Sequence, residues 1–472
     1  MVPIFDFTDQ MSANLELLNQ VFSLAIFCVL IHLVTRFFSV YLIDLGRSLA
    51  LLVTAGAAGI FALALTMYFW STMDESSFFL TLVISLIVGL SVFHPAIAMT
   101  SVCSLLLLRS WEIRPDLEML NILPRVLLLA FAVSYILAAL RGQRFKLRLS
   151  KVQFGLFALG IWVFLSTMVT ANSVDSQAAF FDGFFKSLVI FVLIFQIIRE
   201  KRDYETLVGS MAVSVFSLAV VALLNTFVVR NVPRLELFGA LKNSNDLAAM
   251  FIFILPFVLR PLWQKRSSAL GIIRNLIFAM VIFAGIWKSQ SRAAYLALFC
   301  MGGIWLAYRF RQRKLMLVSG LVAGSLILAI LSGLQLGRES TDLEGSKQNR
   351  LGYWKAGVAM TLRNPALGVG YGRFPYHFRE YGASFTEYGA RTAHSSWILL
   401  VAEAGIPALV IFVTLFAMAF HRAWQLAGEA PELLASLTGY GVAMSFLSHV
   451  YTLYPYILLA LIFSYPKKEV SR

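Results

Sequence analysis

A-H-S-S-W-I-L-L-V-A-E-A-G-I-P-A-L, residues 393–409, is where an apolar rhythm resumes after a break covering 337–393. Before the break the chain runs as apolar blocks separated by short polar joints. Within it lie charges, aromatic residues and glycines. A chain that spans a membrane can keep water, charge and irregular backbone together only in such an interruption, so its chemistry is expected there.

Composition agrees with that frame. Hydrophobic residues make up 59% of the 472 positions and charged ones 14%, whereas a soluble domain carries about 25% charged residues. Many apolar runs reach the ~18–22 residues needed to cross a ~30 Å hydrocarbon core as helices. The expected fold is an all-α polytopic membrane protein. Candidate spans lie near 21–38, 48–70, 77–93, 95–109, 122–140, 152–170, 184–199, 206–229, 247–262, 275–287, 292–308, 315–336, 395–420, 433–448 and 450–464. The pair divided at His94-Pro95 could be one kinked helix and the last two are short, so 12 to 15 transmembrane helices are expected.

The net charge of +14 sits mostly in short joints, where it reads as topology and not as a nucleic-acid surface. The joints 141–151, 199–202, Lys265/Arg266/Arg274 and 309–314 are basic and fall on one side; 71–77 and 171–177 are acidic or neutral and fall on the other. With the basic side cytoplasmic, loop 337–393 is extracytoplasmic. It nevertheless carries Arg338, Lys347, Arg350, Lys355, Arg363, Arg373, Arg379 and Arg391 against five acids. An anionic ligand at that surface explains the excess; internal salt bridges with Glu339, Asp342, Glu344, Glu380 and Glu387 are the plainer alternative. The cysteines Cys28, Cys103 and Cys300 are scattered, so neither a disulfide framework nor a Cys-based metal site is implied. Asp6, Asp9 and Glu16 precede the first apolar run without a basic segment, and no cleaved signal peptide is expected.

Inside the loop, Arg350 to Leu362 has helical spacing, with Tyr353 and Trp354 beside Lys355, and stops at Asn364-Pro365. G-V-G-Y-G at 368–372 reads as a flexible turn and lacks the spacing of a dinucleotide fingerprint. His394 stands where the chain re-enters the bilayer, before Ser395 and Ser396, which can cap a helix. An imidazole there suits general-base work on a hydroxyl, or simply bonds backbone. Glu403 is a carboxylate inside an apolar helix and must find a partner or a polar cavity.

Arg292, in K-S-Q-S-R-A-A-Y (288–295), either snorkels or grips a phosphate as a fork donor. Asn245, in N-S-N-D (243–246), could cap a helix or bond a sugar or phosphate. His32, His94 and His421 read as structural, and His377 and His449 are weak substitutes for His394. The chain has no P-loop, no H-E-x-x-H and no D-x-D pair. Nucleotide hydrolysis and nucleotide-sugar chemistry are disfavoured, and no cofactor or metal is expected.

N-S-N-D-L-A (243–248), S-Q-S-R-A-A-Y (289–295), R-L-G-Y-W (350–354), N-P-A-L-G-V-G-Y-G-R-F (364–374) and A-H-S-S-W…E-A-G-I-P-A (393–408) follow one another in that order. The set resembles the O-antigen ligase / O-antigen polymerase superfamily of bacterial envelope glycan transferases, over about 235–420. The family often has Asn where this chain has Ser395, and a second Gly where it has Ala408. The resemblance implies a GT-C-like, metal-independent, inverting transferase in the bacterial inner membrane, its active site facing the periplasm.

Its donor would be an undecaprenyl-diphosphate-linked glycan, and its acceptor lipid A-core or another glycan, among membrane lipids. Arg292 and Arg350 would hold the diphosphate and His394 would deprotonate or orient the acceptor hydroxyl. Arg373 and Asn245 would be secondary substrate contacts and Glu403 a support behind them. The implied organisation is an N-terminal bundle (1–230), a ligase-like core (231–420) and C-terminal helices with a cytoplasmic tail (421–472). A polymerase acting on carrier-linked repeats and a protein O-oligosaccharyltransferase fit the same residues. A transporter or flippase would favour internal repeats, of which the sequence shows no clear sign.

Overall fold

The computed structural model describes residues 94–109, 118–140, 148–170, 172–237, 242–262, 268–309, 340–382 and 392–466, with parts of 20–36 and 84–92. The apolar runs at 48–70 and 315–336, and much of 77–93, fall outside them. The described residues form helices and turns, with no strand among them. Five helices are long and apolar enough to cross a membrane, at Ser173–Ile197, Lys201–Val229, Ser244–Leu262, Ala269–Ser289 and Ser396–Leu426. Shorter apolar helices accompany them. This is an all-α, multi-pass membrane protein.

The chain divides into two compact units. The first comprises Met1–Leu147, Ile197–Gln290 and Tyr465–Arg472. Its described core packs α1 (Pro95–Leu108) on α2 (Glu118–Leu140) and α6 (Lys201–Leu224), and sets α6 against α7 (Ser244–Leu259) and α8 (Ala269–Ser289). His94 is extended and its Nδ1 accepts the Ala96 N–H at 3.3 Å, so it caps α1 and does not lie inside a kinked helix. Pro95 at the first helical position fits that start, because its missing N–H would be unpaired there anyway. Buried polar groups tie the helices: Arg260 meets Glu205 at 2.9 Å, and Asn275 donates to the Val258 carbonyl at 2.7 Å.

The second unit, Arg148–Gln196 and Ser291–Ser464, holds the long loop and its surroundings. It contains α3 (Lys151–Ser166), α4 (Ser173–Asp182), α5 (Phe184–Ile197) and α9 (Arg292–Arg309), then α10 (Ser340–Arg363) and α11 (Phe374–Gly382). After the loop come α12 (Ser396–Leu426), α13 (Pro431–Met444) and α14 (Leu453–Ser464). α9 packs on α13, and α12 on α3, α10 and α13. As the spacing predicts, α10 runs through Arg350 and ends ahead of Asn364-Pro365.

One expectation needs correcting. The apolar run 395–420 is not one straight span, because Gly405 has φ 81° and ψ 177° in the middle of α12. The rings of Trp397 and Phe412 nevertheless lie 5.5 Å apart, and those of Trp397 and Phe416 5.6 Å. Along an unbroken helix the fifteen residues from 397 to 412 would advance roughly 22 Å. The two halves therefore fold back on each other about Gly405. The later half, 406–426, is about 31 Å long and can cross a bilayer unaided; the earlier half, 396–404, is an arm of about 13 Å that cannot.

Candidate functional site

The loop that follows α10 fills the break in α12. A helix that stops inside an apolar environment leaves carbonyls without partners, and each must be satisfied by protein. Here Val369 N–H donates to Ala402 O at 2.9 Å, and Gly370 N–H to Glu403 O at 3.0 Å. Trp162 Nε1 donates to Ala404 O at 3.0 Å, and on the far side of the break Ile406 N–H donates to Pro365 O at 2.8 Å.

Such close contact excludes side chains: a Cβ on Gly368 would press on the Glu403 backbone, and one on Gly405 on the Ala366 carbonyl. Gly368, Gly370 and Gly372 all have positive φ. The stretch expected to be a flexible turn is thus pinned along its backbone. It reaches a second break too, at Gly183 between α4 and α5. There the Phe184 N–H faces the Tyr371 hydroxyl, and about two turns earlier in α4 Ser176 Oγ donates to Tyr371 O at 2.6 Å. Burial, with the Glu403 carboxylate nearby, holds the Tyr371 phenol well above its ordinary range, so it stays protonated.

Glu403 is 2% exposed. Its Oε1 accepts the Phe374 N–H at 2.9 Å, at the first residue of α11, where a carboxylate also complements the helix dipole. The Gly372 and Arg373 N–H groups and the Tyr451 hydroxyl face the same carboxylate. The partner the sequence calls for is therefore the start of α11. From Ser396 to Glu403 the helix rises about 10 Å. Glu403 accordingly lies too deep to bond the His394 ring, and acts by fixing α11.

α11 in turn carries a ladder of rings. Phe374 and Phe378 lie 6.3 Å apart, Phe378 and Tyr353 5.2 Å, and Tyr353 and His394 5.7 Å. Tyr353 is buried on α10, three residues after Arg350 and so on the same helix face. Tyr353 thereby links His394 to the helix face that carries the half-buried Arg350. The i, i+3 spacing of Arg350 and Tyr353 was the available signal.

His394 is half-buried and has φ 47°, a left-handed conformation that costs a residue with a side chain on the order of 1 kcal/mol or more. Ser395 occupies the cap position of α12 but its side chain makes no capping bond. Ser396 does not cap either: its Oγ donates to Leu447 O at 2.7 Å.

The other expected residues are placed as follows. Arg292 is exposed at the first residue of α9, in the same unit as His394. Arg373 is buried: its Nη2 donates to Asn172 O at 2.6 Å and lies 3.7 Å from Asp175, its guanidinium covers the Tyr376 ring, and its Nε has no partner among the described residues. Asn245 belongs to the first unit, on the first turn of α7, with its N–H bonded to Asn243 Oδ1 at 3.0 Å. Arg363 pairs with Glu380 at 3.7 Å, so part of the loop's charge does go into internal bridges. His377 also faces Glu380, and His449 is buried against Tyr440.

Comparison with known proteins adds one finding. A family model described as O-antigen ligase matches residues 276–413, which include α9, α10, the glycine loop and the break in α12. No curated protein matches the chain.

Proposed function

From the match of residues 276–413 to a family model described as O-antigen ligase, we propose that the chain transfers a glycan from an undecaprenyl-diphosphate carrier to an acceptor hydroxyl at the periplasmic face of the inner membrane. The observation that carries the proposal is the meeting of His394 with Tyr353, one helical turn from Arg350, inside the matched stretch. His394 takes the proton as the acceptor oxygen bonds the anomeric carbon from the face opposite the diphosphate. The bond from that carbon to the diphosphate oxygen breaks, its electron pair leaves with undecaprenyl diphosphate, and the configuration inverts.

Arg350, with Arg292, neutralises the charge growing on the leaving group. Arg373, tied to Asn172 and Asp175, supports the wall of the site. The first acceptor to test is lipid A-core. Broken helices also occur in carriers, where they line a substrate cavity; here both breaks receive the protein's own loop, which favours the transferase reading.

The test is deletion of the gene, complementation with wild type or His394→Ala, and gel analysis of surface glycans. Free long polymer in the deletion strain, unattached to lipid A and not restored by His394→Ala, is the expected result. Single-repeat forms would move the assignment to a polymerase, and loss of glycosylated protein with intact polysaccharide to a protein-directed transferase. Full restoration by His394→Ala would remove the general base.

A further inference from the structure

The matched family segment ends at 413, yet the backbone of His394 is held by a turn outside it. Residues 445–449, between α13 and α14, face the tip of the arm at 394–397. His394 N–H donates to Ser448 Oγ at 3.1 Å, and reciprocally His449 N–H donates to Ser396 Oγ at 2.9 Å. Ser396 Oγ passes its own proton to Leu447 O at 2.7 Å, and Trp397 Nε1 donates to Ser445 Oγ at 2.8 Å. The turn is anchored from behind. His449, 5% exposed, has Nδ1 3.0 Å from the hydroxyl of the fully buried Tyr440, and its ring lies 5.8 Å from that of Tyr454.

We infer that Ser448 is a positioning residue for the transfer reaction: its hydroxyl, accepting the His394 N–H, holds that residue in the left-handed conformation that sets its imidazole against Tyr353. This rests on the reading of His394 given above. A left-handed backbone is uncommon for a residue with a side chain, even for histidine, which adopts it more readily than most, and it is held by its surroundings. Ser448 Oγ accepts the N–H of the residue concerned, while the other three bonds fix the turn and the start of the arm. Without that acceptor the backbone relaxes toward ordinary torsions and the ring swings off Tyr353. A displacement of about 1 Å of a reacting group costs up to about 100-fold in rate, whereas substrate affinity, held by the arginines, is untouched.

The experiment measures transfer by the full-length, detergent-solubilised protein from an undecaprenyl-diphosphate-linked oligosaccharide. Ser448→Ala should lower kcat about 10- to 100-fold with KM within about twofold of wild type, and Ser448→Thr, which keeps the hydroxyl, should restore it. His394→Ala is run alongside. If His394→Ala is inactive while Ser448→Ala has wild-type kcat, the positioning role falls and the base stands. If both are fully active, both fall. A rise in KM without loss of kcat, or Ser448→Thr as slow as Ser448→Ala, also overturns the inference. Should Ser448→Ala fail to accumulate, Ser448→Cys keeps the size with a weaker acceptor, and kcat equal to that of Ser448→Thr would overturn it.

Discussion

Gly405 and Ala366 meet backbone to backbone, and the space between them holds no methyl group. Gly405→Ala must therefore move the loop and also accept a left-handed φ of 81°. A destabilisation on the order of 2–4 kcal/mol is expected, read as a lower unfolding temperature in detergent or as lost accumulation. Gly372 also has positive φ, but nothing lies within 4 Å of its added Cβ. Gly372→Ala should cost only about 1–2 kcal/mol. Equal effects at the two sites would show that the loop does not press on the break.

Glu403 offers a second graded test. Glu403→Gln keeps an oxygen for the Phe374 N–H, whereas Glu403→Ala leaves that buried donor without a partner and opens a cavity. The alanine variant should be destabilised by about 2–4 kcal/mol and the glutamine variant by clearly less. Since Glu403 reaches His394 only through α11 and the ring ladder, Glu403→Gln should keep most of its transfer activity. A well-folded but inactive Glu403→Gln would mean that its charge enters the reaction directly.

Arg292 and Arg363 should behave in opposite ways. Replacing the Arg292 fork by the point charge of Arg292→Lys removes bidentate phosphate contact, and transfer should fall about 100-fold. Arg363, 69% exposed and 3.7 Å from Glu380, forms a surface pair worth about 0–1 kcal/mol. Arg363→Ala should leave both stability and transfer near wild type. Wild-type activity of Arg292→Lys would reduce that residue to a membrane anchor.

Transfer should continue undiminished in EDTA, since the proposed step uses a guanidinium-held diphosphate and an imidazole. An activity that collapses on chelation and returns with a divalent ion would replace the arginine account of the leaving group.

The fold class was legible because burial in lipid leaves long apolar runs, and the stop at Asn364-Pro365 because proline cannot continue a helix. His394 stood out as a polar group where the chain re-enters the bilayer, and Arg350 through the family resemblance of R-L-G-Y-W. What the sequence could not reveal was distance without local signal: Ser448 meets His394 across 54 residues, and Trp162 reaches Ala404 across 242. Glycine and proline in E-A-G-I-P were a signal of the break that the surrounding apolar run hid. They did not say that the chain doubles back; the meeting of Trp397 with Phe412 and Phe416 excludes a simple kink.

The lengths of the last two helices have a consequence for the surrounding lipid. α13 has 14 residues and α14 has 12, about 21 and 18 Å, against a hydrocarbon thickness of about 30 Å. A hairpin of that height is some ~10 Å shorter than such a slab is thick. The irregular backbone at its crest, 445–452, needs protein or water around it and not acyl chains. At 445–449 the arm that begins at His394 supplies that protein, so the fold carries its own cover for a backbone that acyl chains could not satisfy.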